Sequence, residues 1–417
     1  MQALRALAAC SLAAAAFAAP CAATGPRLVV TPADGLIDAP VHMQVSGLPA
    51  GKRVTITTQT ADAFGRTWRG KATLRADGRG RADPARMPSV AGTYRGRDAM
   101  GLFSSMVPAG WRGRVDTLGM APAQVATVRL LVTADSRPLA RATIVRRVSL
   151  PEVTVREATM ATDGIVGHFC SAPSIVRRPA IVRIGGSEGG VPGVTGCSLL
   201  ASHGYPTLAL GYFDAPGLPP DLANIPLEYF QHALQWLALQ PGVDKDKLVM
   251  MGVSRGGEGA LLVASVYPEL VHAAVGYVPS AYVFSGLPDF TKPAWTLHGQ
   301  PVPYLDLRDL PTEAETIKVE RIAGPIFLVG AVLDALWPSA DFVSKIAERL
   351  RAHGRTDFSA LTYYSAGHGV GFELPYLRAP TVGNSRGSRI SLGGTPAGDA
   401  RARGDSWPRL LAFLNRL

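Results

Sequence analysis

Ser254, Asp334 and His368 are the residues of this chain whose types and order could do chemistry at a carbonyl. Ser254 sits in Gly252-Val253-Ser254-Arg255-Gly256, a G-x-S-x-G pattern, between the apolar run 248–251 and an Ala/Leu/Val-rich run from Gly257. Strand, tight turn with serine at the apex, then helix is the setting in which that pattern is a nucleophile elbow. Gly252 and Gly256 flank a turn too tight for side chains, which exposes the hydroxyl. A serine hydroxyl is a poor nucleophile near neutral pH and needs a base beside it. Asp334 follows the apolar run 326–330 and His368 follows 358–364, giving the order Ser, acid, His. The C-terminal ends of parallel strands open on one edge of a sheet, so three residues far apart in sequence can meet there. His368 would take the proton, and Asp334 would hold the imidazole tautomer.

The same chemistry needs donors for an oxyanion. One is the backbone N–H of Arg255; the second is placed in the glycine-rich run 185–190, at Gly186 or Ser187. That run lacks the Gly-Lys-Ser/Thr ending of a phosphate-binding loop and the G-x-G-x-x-G spacing, so it is not read as a phosphate cradle. His203, His232 and His353 fall in or at the ends of helical stretches and read as structural, whereas His298, in a loop, is the rival base. Asp341 reads as a charge at a helix N-terminus. Asp289, Asp306 and Asp309 have no strand to position them. Cys10 and Cys21 belong to the N-terminal segment; Cys170 and Cys197 have no C-x-x-C or Cys/His spacing, so neither a metal site nor a cofactor is expected. In an exported protein these two cysteines could pair.

The elements that must position these residues divide the chain. At 417 residues it exceeds one ordinary domain. Its 47% hydrophobic and 18% charged content excludes a disordered chain. The net charge is +10, but the arginines are scattered and no basic run interleaves with aromatics, so no nucleic-acid partner is expected. Residues 1–23 carry Arg5, an apolar run over 7–19 and small-residue cleavage sites, the pattern of a signal peptide. Export to the periplasm or medium follows; a mis-assigned start would leave a cytoplasmic protein. The mature chain is expected to have no integral membrane segment. Over 27–140, short alternating runs such as Val54-Thr55-Ile56-Thr57 are separated by turn signals and predict an antiparallel β-sandwich. A connector spans 141–157. Over 158–417 strands alternate with helices, which predicts a mostly parallel sheet covered by helices on both faces. The last helix is placed at 407–417. The Gly/Arg/Ser-rich run 381–403 reads as an irregular surface loop, and 281–312, rich in Pro and aromatics, as a lid.

Residues in both halves resemble one known family, the acyl-CoA thioesterase and bile acid-CoA:amino acid N-acyltransferase group. In the first half these are Pro32, Asp38-Ala39-Pro40, Ser46-Gly47-Leu48-Pro49, Trp68, Gly92-Thr93-Tyr94 and Met100-Gly101-Leu102. In the second they are Leu227-Glu228-Tyr229-Phe230, Gly252 to Glu258, Phe327-Leu328-Val329-Gly330 with Asp334 and Trp337, Gly367-His368, Pro375-Tyr376 and Gly393-Gly394. The resemblance implies an N-terminal immunoglobulin-like β-sandwich and a C-terminal α/β-hydrolase domain. It implies a triad of Ser254, Asp334 and His368 that cleaves acyl-CoA thioesters to free acid and CoA. The acyltransferase branch typically carries Cys as nucleophile, so Ser254 favours hydrolysis over amino-acid conjugation. The expectation is a serine hydrolase of acyl thioesters working through an acyl-enzyme, with a small-molecule thioester or ester as partner. The alternatives are an exported carboxylesterase or peptidase of the same fold, an acyl-CoA:amino acid N-acyltransferase, or a non-catalytic binding protein.

Overall fold

The computed structural model describes residues 25–110, 125–306, 309–371, 374–378, 380–385 and 388–417. The signal peptide expected over 1–23 lies outside the described residues. The first half is built from β1 (Arg27–Thr31), β2 (Asp34–Leu36), β3 (His42–Ser46), β4 (Arg53–Ala61), β5 (Thr67–Arg75), β6 (Ala91–Gly92), the short α1 (Gly101–Ser104), β7 (Val107–Pro108), β8 (Val125–Ala134) and β9 (Arg137–Arg147). β1 pairs with β3, and the larger sheet runs β2-β9-β8-β4-β5-β6, with β7 also on β5. Alternation decides which face is buried: Val54, Ile56 and Thr58 of β4 and Trp68, Ala72 and Leu74 of β5 point inward, and their neighbours meet solvent. β9 continues past Ala140 to Arg147, so the expected connector begins inside a strand.

The second half comprises β10 (Thr154–Ala158), α2 (Met160–Asp163), β11 (Val166–Ser171), β12 (Arg178–Ile184), α3 (Val194–Ser202), β13 (Thr207–Gly211), β14 (Ile225–Pro226), α4 (Leu227–Ala238), β15 (Val243–Val253), α5 (Arg255–Val266), β16 (Ala273–Tyr277), β17 (Trp295–Leu297), β18 (Gln300–Pro301), β19 (Ile326–Ala331), α6 (Ser339–Ala352), β20 (Phe358–Tyr363), the antiparallel pair β21 (Val382–Ser385) and β22 (Ser388–Ser391), and α7 (Pro396–Leu414). Its main sheet has eight strands in the order β10-β11-β13-β12-β15-β16-β19-β20. β10, β11 and β13 join antiparallel; β13 through β20 are parallel. β13, β16 and β19 are buried along their whole length, as strands covered on both faces must be. Residues of successive strands divide between two apolar clusters. Ile181, Val249 and Phe327 pack with α3 and α7, and Val182, Met250 and Leu328 with α4, α5 and α6. The result is a two-domain structure of mixed sheets and flanking helices.

The α3/α7 face continues without a break into the core of the first domain, where Val41 and Trp68 belong to the same cluster as Trp407 and Phe413. Polar contacts fix the docking. Asp38 Oδ2 lies 2.6 Å from His203 Nε2 and accepts Trp407 Nε1–H at 2.6 Å. A disulfide between Cys170 of β11 and Cys197 of α3 ties the antiparallel edge to the adjacent helix, with both sulfurs buried. Among the described residues no helix is long and apolar enough to cross a membrane.

The end of this half departs from expectation: the last helix, placed at 407–417, spans Pro396–Leu414. The run 381–403 is not an irregular surface loop: α7 starts at Pro396, two turns before Arg403, and Asp399 and Arg403 are buried. Thr395 caps the helix by accepting the Gly398 N–H at 2.9 Å, with proline at the first helical position. These start signals outweigh the run's composition.

Candidate active site

The long β15 ends at Val253 and α5 begins at Arg255, so Ser254 alone makes the reversal. Its φ of 57° and ψ of −124° lie where non-glycine residues seldom go. The strained peptide is held on both sides. Ser254 N–H donates to Tyr277 O at 2.9 Å, and Ser254 O accepts the Glu258 N–H at 3.0 Å. The flanking glycines answer to close approach: a Cβ on Gly252 would strike the Gly256 carbonyl, and one on Gly256 would strike the Gly185 carbonyl.

β19 and β20 deliver the other two residues. His368 Nδ1 lies 2.8 Å from Asp334 Oδ2, with side chains 5% and 0% exposed. Asp334 Oδ2 also accepts the Ser339 hydroxyl at 2.7 Å, and its Oδ1 accepts the N–H groups of Leu336 and Trp337 at 3.0 and 3.3 Å. With both oxygens engaged the carboxylate cannot swing, and the imidazole it faces has one orientation. Trp337 packs its ring edge-on to His368 and donates Nε1–H to Val278 O at 3.0 Å. The turn after the histidine abuts the elbow: a Cβ on Gly371 would lie 2.6 Å from Val253 Cγ1. Gly393 and Gly394, both at positive φ, let the chain cross behind this pair, where a Cβ would strike Leu333 O or Gly367 N.

The glycine-rich loop after β12 meets the serine directly, since a Cβ on Gly186 would lie 3.0 Å from Ser254 Cβ. Tyr212 fixes this loop by donating its hydroxyl to the Gly185 and Gly186 carbonyls at 3.1 and 2.9 Å. Burial pushes that phenol well up, so it stays a donor. The expectation for Gly186 needs correction. Its N–H donates to Glu188 Oε1 at 3.0 Å, because the glutamate folds back over its own loop. Of the two loop candidates, Ser187 remains. Arg255 N–H is in the first turn of α5, where no intrahelical acceptor exists.

Sequence reasoning missed the work of the Arg255 side chain. It donates to the Phe284 and Ser285 carbonyls at 3.1 and 2.9 Å and pairs with Glu258 at 3.1 Å. Glu258 is fully buried and accepts Trp295 Nε1–H at 2.8 Å. Burial pushes its carboxyl up to about 7, with Arg255, Trp295 and the Phe284 N–H pulling the other way. This network seats the segment expected as a lid on the start of α5. The i, i+3 spacing of Arg255 and Glu258 was the available signal. The rival His298 is 84% exposed, 3.3 Å from Glu228, and plays no part in the site. Among the described residues no cluster of His, Cys, Asp or Glu is arranged to hold a metal ion.

Comparison with known proteins gives the chain its relatives. The family model "BAAT / Acyl-CoA thioester hydrolase C terminal" matches residues 225–417, and "Acyl-CoA thioester hydrolase/BAAT N-terminal region" matches 38–159. Acyl-coenzyme A thioesterase 6 of Mus musculus is 31% identical, with 91% of this chain and 93% of that protein covered. Acyl-coenzyme A thioesterase 1 of Rattus norvegicus is also 31% identical, over the same shares. The mitochondrial acyl-coenzyme A thioesterase 2 of Mus musculus is 30% identical over 91% of this chain and 86% of that protein.

Two findings correct the expectation of a serine hydrolase acting through a Ser254–His368–Asp334 triad and an acyl-enzyme. Among the described residues the Ser254 hydroxyl makes no hydrogen bond to His368, so the structure contains a His–Asp pair and an elbow serine, not a connected serine triad. The matched family's name joins an acyltransferase to acyl-CoA thioester hydrolases, so likeness to it does not by itself carry a serine nucleophile.

Proposed function

The chain belongs to the BAAT/acyl-CoA thioester hydrolase family, and from that premise we propose that it transfers an acyl group from a small thioester or ester donor to a small acceptor at the site of Ser254, His368 and Asp334. The observation that carries the proposal is the buried His368–Asp334 pair at 2.8 Å, set against an elbow of rare backbone geometry. His368 Nε2 takes the proton of the attacking group and returns it to the leaving group, while Asp334 stabilises the imidazolium. The N–H groups of Arg255 and Ser187 receive the charge that develops on the carbonyl oxygen. Ser254 forms the floor of the site, and no covalent role is assigned to its hydroxyl.

The test offers acyl-CoAs and p-nitrophenyl esters to the purified chain, with and without glycine as acceptor, and identifies the acyl product by mass spectrometry. Acyl transfer to amine or water is expected, with a loss of about a hundredfold or more in His368→Ala. A variant as fast as the parent would overturn the assignment of the base. Ser254→Cys installs the acyltransferases' residue and is expected to raise the share of product on glycine.

Two further readings belong to this proposal. The first domain is an immunoglobulin-like sandwich, a reading supported by the one-sided burial of β4, β5 and β8. The protein is exported, a reading supported by the composition of residues 1–23 and by the Cys170–Cys197 disulfide. N-terminal sequencing of chain recovered from cell fractions checks the second: an intact Met1 in the cytoplasmic fraction would reject it.

A further inference from the structure

Helix α7 brings two buried charged side chains to the His368 turn, and the chemistry described above uses neither. We propose that Asp399 and Arg403 are positioning residues for His368, holding the backbone on either side of it; this rests on His368 being the base. Asp399 Oδ1 accepts the Gly367 N–H at 2.6 Å. Arg403 donates from Nε and Nη2 to the Gly369 carbonyl at 3.0 and 2.8 Å. The residues just before and just after the histidine are therefore held by groups four apart on one helix, which lie one above the other. His368 itself donates its N–H to Leu392 O at 2.7 Å. Its backbone is fixed at three points while Asp334 fixes the ring.

Stability alone does not account for the two charges. Asp399 is 0% exposed and Arg403 3%. Burying such groups is unfavourable, and well-packed apolar side chains of similar size often hold a fold as well or better. The groups also sense the base. Burial is the main cause that raises the Asp399 carboxyl, to about 6. The Gly367 N–H, Arg403 and His368 oppose the rise, and Asp334 adds to it. The charged groups that act on Asp399 are thus Arg403 on its own helix, Asp334 beyond β19 and His368 beyond β20. A Cβ on Gly369 would lie 3.2 Å from Asp399 Oδ2, so this carboxylate fills the space behind the histidine turn.

The test uses the full chain with Asp399→Leu, Asp399→Asn, Arg403→Lys and Arg403→Met, each checked for folding by circular dichroism. Asp399→Asn keeps an acceptor for Gly367 and removes a negative charge near the imidazole. Asp399→Leu, which removes the acceptor, is expected to lower kcat about 10- to 100-fold with KM little changed, and Asp399→Asn to lower it only a few-fold. The acidic limb of the Asp399→Asn pH–rate profile moves to lower pH, because the imidazolium loses a stabilising neighbour. A general weakening of the fold would not move the pH–rate profile in this way. Arg403→Lys retains most of the activity that Arg403→Met loses. Parental kcat in Asp399→Leu and Arg403→Met, with His368→Ala inactive, would overturn the inference. Full activity in His368→Ala would instead remove the base reading beneath it.

Discussion

At the scale of single residues, Asp334 is the most constrained group in the site. Its Oδ1 is occupied by two backbone N–H groups and its Oδ2 by Ser339 and His368. Asp334→Asn keeps the turn through Oδ1 but turns an amide NH2 toward His368 Nδ1. The ring must then take the other tautomer, with its free lone pair facing the wrong way. We expect kcat to fall about 10²- to 10⁴-fold with KM and melting temperature nearly unchanged, measured by steady-state kinetics and calorimetry. The placement of Ser254, Asp334 and His368 after β15, β19 and β20 was legible in sequence because each follows an apolar run. The capture of the Gly186 N–H by Glu188 was not, since it depends on a side chain folding back over its own loop. Nor was the missing link between Ser254 and His368, which turns on side-chain placement that strand order does not fix.

At the scale of elements, α5 and the segment after β16 are joined by one buried ion pair. Glu258→Ala leaves Arg255 buried without its partner and should destabilise the protein by about 3–5 kcal/mol in denaturant titrations. The pair also gives stability a pH dependence of definite sign. The Glu258 carboxyl rises from its ordinary 4.5 to about 7 on folding, so the native state binds that proton more tightly than the unfolded chain does. Its contribution is complete below pH 4.5 and is lost as pH rises through about 7. Melting curves across that window should fall more steeply with pH for the parent than for Glu258→Gln; equal slopes would refute the assignment. The strands and helices of the second domain were legible because fully apolar runs alternate with amphipathic ones. The start of α7 was not: Asp399 and Arg403 stand in a Gly/Arg/Ser-rich run whose composition belongs to a surface, and their burial comes from contacts with the histidine turn.

At the scale of the whole molecule, the two domains share an apolar cluster and a polar hub at Asp38. Asp38→Ala removes the acceptor for Trp407 and the partner of His203. Unfolding is expected to be a single transition in the parent and to separate into two in the variant when followed by tryptophan fluorescence and by activity. Coincident transitions would show that the apolar contact suffices. The division into two domains and the parallel sheet of the second were readable from texture. The depth of their union was not, because its hub joins residues 165 and 369 positions apart. α7 takes part in that union through Trp407 and steadies the His368 turn through Asp399 and Arg403. It also follows every other described element in the sequence. A ribosome releases it after each of them, so the nascent polypeptide can neither close these two domains nor set its base until α7 has emerged. The order of the elements thus keeps the site silent until both domains have been made.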